Sequence, residues 1–407
     1  MRSTLLASAI LASLGLASTA ATPAHAAGAP QQVSAQDIAD LKAQIAALQQ
    51  RVDELQAQSD AQSDVNVTTA KAIEDTQKSA AKVDKLAKAV NDTTLSGKMF
   101  FDLTNLSVEN NGVKTAASGT GFDVKRFYFG VNHVFNDVWS ANLTTDFQYN
   151  SSLDSAADIY VKKAYLQGKF SDAFIGRVGS ADLPWVPYAE DQYGFRYVEN
   201  VLVDRLKFGT SADWGLHAGG VLGGGIANYA VSVVNGAGYK NPSRSKSMDV
   251  EGRVGFTPVD GLVIAAGGYS GKLGKETETT DALHTATRGD VMVAYTTKAF
   301  RVGGEYFRAS NWNNVLSADS DSASGYSLWG SAGLGSTGLT AFARYDRADL
   351  SRDLNPDLKD TYYNVGLEYA VNKNFRIAGV YKRDKRDDDA AIDQLTREFG
   401  VWGEVKY

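Results

Sequence analysis

Charged residues of both signs recur at alternate positions through residues 95–407, and they are the side chains best placed to do chemistry. Arg126, Arg253, Arg301, Arg344 and Arg376 fall in phase with Asp146 and Glu305 on the polar face of alternating segments. A second charged group, Glu190, Asp191, Arg196, Asp204 and Arg205, lies in one long connection beside Trp185, Tyr188, Tyr193 and Tyr197. The chemistry this supports is electrostatic. Opposite charges along a water-filled wall set up a transverse field that sorts solutes by charge. Solvated wall residues in mutual ion pairs are the plainer reading of any single one, and such pairs add little stability. Nothing comparable supports catalysis. The chain has no Cys, and its four His (His25, His133, His217, His284) are widely spaced without an evident partner. A thiol nucleophile and a Cys- or His-based metal centre are therefore not expected; the sequence reads as that of a protein without cofactor and not an enzyme. A net charge of −6 argues against a nucleic-acid partner.

The elements that must position these charges follow from periodicity. Met99, Phe101 and Leu103 alternate with Lys98, Asp102 and Thr104; Phe127, Phe129 and Val131 alternate with Arg126, Tyr128 and Asn132. The last stretch places Phe399, Val401, Val405 and Tyr407 on one face and Glu398, Trp402, Glu404 and Lys406 on the other. About sixteen such strands are expected, starting near residues 95, 122, 138, 157, 172, 211, 226, 247, 261, 286, 300, 323, 338, 360, 374 and 395. Tight turns such as Phe135–Val138 and Val371–Phe375 alternate with long polar loops near 109–121, 151–156, 181–210, 237–246, 272–285, 310–322, 349–359 and 385–394. A soluble sandwich has equivalent ends and no reason for this alternation, whereas a transmembrane barrel has short periplasmic turns and long outer loops. The predicted fold is an all-β transmembrane barrel of about sixteen antiparallel strands, wide enough for an aqueous channel.

The N-terminal part differs in kind. A basic start, the apolar run Leu5–Ala17 and the small-x-small triplet Ala24-His25-Ala26 predict a signal peptide over 1–26, followed by a linker over 27–35. Residues 36–92 lack Gly and aromatics, and Ile38, Leu41, Ile45, Leu48, Val52 and Leu55 repeat at heptad spacing. The same phase then passes through Ser59, Gln62, Asn66 and Thr69, which are polar. This predicts a coiled coil with partner copies, the a/d choice alone favouring two strands. An amphipathic helix lying on its own domain is the alternative.

The 181–210 connection is the longest and contains two Pro segments bearing Trp185 and Tyr188, unlike a Ser/Gly-rich surface loop. Folded inward it would narrow the pore; packed outward it would meet a neighbouring subunit.

Arg126, Gly130, Trp139, Asp146, Ala164-Tyr165, Gly176-Arg177-Val178-Gly179 and the 184–215 stretch ending Ala212-Asp213-Trp214-Gly215 together resemble the phosphate-selective (O and P type) porin superfamily of Gram-negative outer membranes. The coiled coil resembles the N-terminal helices of dicarboxylate-porin-like trimers. The resemblance implies a sixteen-stranded homotrimer in the outer membrane, with the third outer loop as constriction and the coiled coil in the periplasm. Lipid and lipopolysaccharide would surround it, and small hydrophilic, charged solutes would pass. Phosphate selectivity in that family uses an arginine ladder and clustered lysines. Here Arg126, Arg253, Arg301 and Arg376 are interleaved with acids and no lysine cluster is evident, so the channel is expected and the phosphate is not. The expected function is passive diffusion. The alternative is a tether linking the outer membrane to the cell wall through the coiled coil.

Overall fold

A computed structural model describes residues 34–148, 158–388 and 393–407. The expected signal peptide, residues 27–33 of the linker and the 151–156 loop lie outside the described residues. The chain divides into two units, Met1–Asp84 and Lys85–Tyr407. A helix, α1, runs from Ala35 to Asn91 without a Gly or Pro to interrupt it. Its start is a reciprocal cap: the Asp37 N–H donates to Ser34 Oγ at 3.1 Å, and the Ser34 N–H donates to Asp37 Oδ2 at 3.0 Å. Ile38, Leu41, Ile45, Leu48, Val52 and Leu55 are all exposed on the single chain. In the polar middle Gln62 Nε2 donates to Asn66 Oδ1 at 3.0 Å, an i,i+4 pair within one helix.

The second unit is a closed antiparallel barrel of sixteen strands. They are β1 (Thr93–Asn110), β2 (Gly119–Val134), β3 (Trp139–Gln148), β4 (Asp158–Ser171), β5 (Phe174–Asp182), β6 (Ala212–Leu222), β7 (Ala227–Val234) and β8 (Asp249–Phe256). Then follow β9 (Leu262–Gly271), β10 (Ala286–Thr296), β11 (Phe300–Ser310), β12 (Ser322–Gly333), β13 (Leu339–Asp349), β14 (Lys359–Asn372), β15 (Phe375–Asp387) and β16 (Gln394–Lys406). The first outer connection adds a two-residue ladder, Val113–Lys114, on the edge of β1. Each strand pairs with its chain neighbour, and β16 pairs back onto β1 from Lys98↔Lys406 to Asn110↔Gln394. Every strand begins within three residues of the position expected from the alternation.

The two faces differ as the period requires. On β10, Val291 and Val293 are half-exposed, while Asp290 and Met292 between them are buried. On β16, Phe399 and Val401 are exposed and Trp402 and Glu404 are buried. Strand ends carry ring contacts, among them Phe101–Phe122, Trp139–Phe170 and Phe127–Tyr407.

The closing seam is keyed by glycine. Tyr407 N donates to Gly97 O and Gly97 N to Tyr407 O. The Tyr407 ring lies over Gly97, where a Cβ would overlap it, and four residues along the same strand pair the Phe101 ring covers Gly403 in the same way. Gly97→Val should therefore block closure, seen as loss of the heat-modifiable folded band on cold gel electrophoresis. The Tyr128 carbonyl also lies 2.6 Å from that Cβ, so the ring is tested at Gly403, where only the Phe101 ring stands in the way: Gly403→Val should lose the band, Phe101→Ala in the same chain should restore part of it, and no rescue would show that the ring is not the obstacle.

Candidate functional site

Residues 183–211 join β5 to β6 and carry two short helices, α2 (Val186–Tyr193) and α3 (Leu202–Arg205). Pro187 starts α2, and Gly194 ends it in the left-handed region at φ 82°. A side chain on Gly194 would overlap the Arg301 guanidinium, which donates to Asp191 O at 3.2 Å. The segment has its own apolar face. Trp185, Val186, Tyr193, Phe195, Val201, Leu202 and Phe208 are buried together with Met292, Phe307, Trp329 and Phe342 of the wall. Phe195 stacks on Phe342 at 4.2 Å, and Tyr193 meets Trp329 edge-on.

Polar contacts fix this segment along the wall. Glu251 accepts from Trp185 N at 2.9 Å, Glu305 from Leu202 N at 3.0 Å, and Glu368 from Tyr197 Oη at 2.7 Å. Arg253, Arg344 and Lys382 donate to the carbonyls of Pro184, Asn200 and Val198. Tyr188 lies under Arg253, 3.6 Å from guanidinium carbon to ring centroid. Arg205 is the strongest tie: it pairs with Asp346 at 3.1 Å, Asp360 at 2.6 Å and Asp384 at 3.0 Å, on three consecutive strands, and stands over the Tyr362 ring. Arg253, Arg344 and Glu305, expected on an open wall, are thus engaged by the connection, with Arg344 and Glu305 buried beneath it.

Open space lies mainly on the other side, against β1–β5 and β16, where Arg301 of β11 and Arg376 of β15 also reach it; a cavity of about 410 Å³ lies between the segment and β8–β10. The main chamber, about 610 Å³, is lined by seven cations and four carboxylates. Lys163 pairs with Asp182, Arg196 with Glu190, and both Arg376 and Lys406 with Glu404. That leaves Lys98, Lys162 and Arg301 without a carboxylate at ion-pair distance among the described residues, against Asp191 alone among the acids. A neighbouring cavity of about 220 Å³ is lined by Arg126, Lys162, Arg196 and Lys240 with one carboxylate, Asp204. A third, of about 240 Å³, is lined by Asp123, Lys125, Arg126, Arg196 and Glu199 among others. Arg196 lines all three, held by Glu190 at 2.5 Å and 4.0 Å from Asp204. Arg126 is held by Asp146 at 3.1 Å. Burial raises the Asp191 carboxyl above the ordinary aspartate range, with Lys98 opposing.

Sequence reasoning found Arg126, Arg301 and Arg376 and put Lys98 and Lys406 on the polar face, but missed Lys162 and Lys163, and the cause is a bulge. The β3–β4 register shifts so that Thr144 faces Lys163 and Thr145 faces Val161, leaving Lys162 as the extra residue. Strict alternation sends consecutive residues to opposite faces, yet both Lys162 and Lys163 line the chamber. The ambiguous polarity of residues 157–170 was the available signal.

No protein-family model matches the chain, and no curated protein matches it. Solved structures do. The outer membrane channel DcaP of Acinetobacter baumannii aligns over 77% of this chain and 97% of its own at 12% identity, with a TM-score of 0.57. An anion-selective porin from Comamonas acidovorans aligns over 77% and 99% at 12% identity (TM-score 0.55), and Pseudomonas putida OprB over 80% and 96% at 11% identity (TM-score 0.55). The fold is that of the outer-membrane porins.

Replacing Arg205 with Ala strands buried Asp360, whose other cation, Arg386, lies 3.8 Å away, while Asp346 keeps Arg344. Breaking a buried pair in this way costs about 3–5 kcal/mol. We expect that loss in the unfolding free energy in detergent, together with new proteolytic cleavage inside 183–211.

Proposed function

We propose that this chain is an outer-membrane porin through which small hydrophilic solutes diffuse passively, with anions preferred, and that residues 183–211 fold into the barrel as its constriction. One observation carries the charge preference: Lys98, Lys162 and Arg301 have no carboxylate partner in the main chamber, and one acid opposes them. The inward reading of the connection is supported by its reach. One segment of about thirty residues touches the polar faces of β8, β10, β11, β13, β14 and β15, which a loop packed outside the wall could not do together. The likeness to the O and P type porins is carried as far as an anion-conducting channel. Acids interleave with the basic side chains, and phosphate is no part of the proposal.

Three copies joined through α1 and the barrels are proposed as the working unit, with residues 1–26 as the export signal and α1 in the periplasm. The exposed Ile38–Leu55 seam supports a partner for α1. Lipopolysaccharide around the barrel and cell-wall contact through α1 stand as parts of the same proposal.

The test is the zero-current potential of the purified protein in a planar bilayer under a KCl gradient. A potential of the sign set by chloride is expected. A cation preference would refute the anion reading, and absence of conductance would refute the porin and favour the tether. The preference should also grow as pH falls. Asp191, with its raised pKa, keeps its negative charge only above that value and loses it sooner on acidification than an ordinary aspartate would. Asp191→Asn should give the higher anion preference already at neutral pH and flatten this rise.

A further inference from the structure

Among the described residues, Lys162 is the one cation without a carboxylate at ion-pair distance that lines both the main chamber and the adjoining cavity. Its ammonium lies 4.7 Å from the Tyr128 ring centroid, on the chamber side, and 5.7 Å from that of Tyr239, on the cavity side. The acids that could neutralise it are engaged elsewhere. Asp146 holds Arg126 and accepts from Tyr239 Oη at 3.1 Å, Asp182 holds Lys163, and Glu190 holds Arg196. An aromatic face attracts an ammonium without supplying negative charge. A lysine fixed in this way is oriented and keeps its full unit charge for a passing ion, whereas one fixed by a carboxylate presents a dipole.

The supports of the two rings are themselves built in. Phe100 meets Tyr128 edge-on at 5.8 Å, and the fully buried Asp146 anchors the Tyr239 hydroxyl. The bulge in β4 supplies the remaining requirement, since it turns Lys162 to the same side as Lys163.

We propose that Lys162 is the selectivity-setting residue of the passage, an anion-binding point at the junction of the two cavities, and that Tyr128 and Tyr239 are positioning residues that hold it there uncompensated. The inference rests on the porin reading above and adds to it the residue and the device. The ligands are small inorganic or carboxylate anions handed from one cavity to the next.

The experiment compares the chloride-to-potassium permeability ratio of wild type and variants in planar bilayers under a KCl gradient, on protein that shows the heat-modifiable folded band. K162M should lower the ratio about tenfold, since one unit charge several ångströms away in water favours the anion and disfavours the cation by about threefold each. K162R should keep it, as should Y128F, which retains the ring. Y128L and Y239L should each lower it with Lys162 still present, a result that loss of bulk alone does not give, since widening the passage raises conductance for both ions. Where K162M does not insert, K162Q is read in the same way. Wild-type anion preference that survives K162M or K162Q unchanged overturns this inference and leaves the porin reading standing. Y128L and Y239L matching wild type overturn the positioning role. A wild type without anion preference overturns the charge reading and this inference together.

Discussion

Everything in the barrel depends on the pairing of β1 with β16. In hydrocarbon an unpaired peptide group has no water to turn to, so a sheet that crosses a membrane must have no edge. The ladder from Lys98↔Lys406 to Asn110↔Gln394 removes the two edges at once, and Gly97 and Gly403 leave no room for a side chain there. Closure also decides which face is which. Once the apolar positions are turned to lipid, the charged positions between them are committed to the interior, in a space that must be either filled or wet.

The chain does both, on opposite sides. Against β8–β15 the interior charges meet the 183–211 segment, whose backbone N–H and C=O groups they satisfy and whose aromatic residues they flank. Such groups form a mixed polar and apolar core, in which each buried carboxylate or guanidinium has a partner or lies beside one. Against β1–β5 the same kind of residue faces open space. The difference between a structural and a functional charge is therefore whether the segment covers it, since Arg301 of β11 and Arg376 of β15 reach the chamber from the covered side, and residue type does not reveal it.

That division explains how much was legible in the sequence. Period-two alternation and the rhythm of short and long connections are local properties, so strand number, strand starts and the polar face followed from them directly. The 183–211 segment stood out by composition and length. What alternation could not supply was which wall charges the segment would cover. Arg344 and Arg301 have the same phase and similar neighbours, yet Arg344 is sealed under Asn200 and Arg301 reaches the chamber. Lys162 escaped for a different reason, since a bulge breaks the parity on which face assignment rests. The helix α1 continues through the polar layers that interrupt its apolar seam because no Gly or Pro breaks it between Ala35 and Asn91.

The bulge at Lys162 also bears on how such a channel can change over evolutionary time. Most routes to a new charge in the lumen require a codon for a new residue. Here the loss of one residue in β4 would act by shifting phase: with Val161 deleted, strict alternation returns and Lys162, now in the water path, would be carried toward the bilayer without any substitution. With Lys162 as the proposed selectivity residue, ion preference would be written partly in the count of residues in one strand, and single-codon insertions and deletions there are a mutational class apart from substitution.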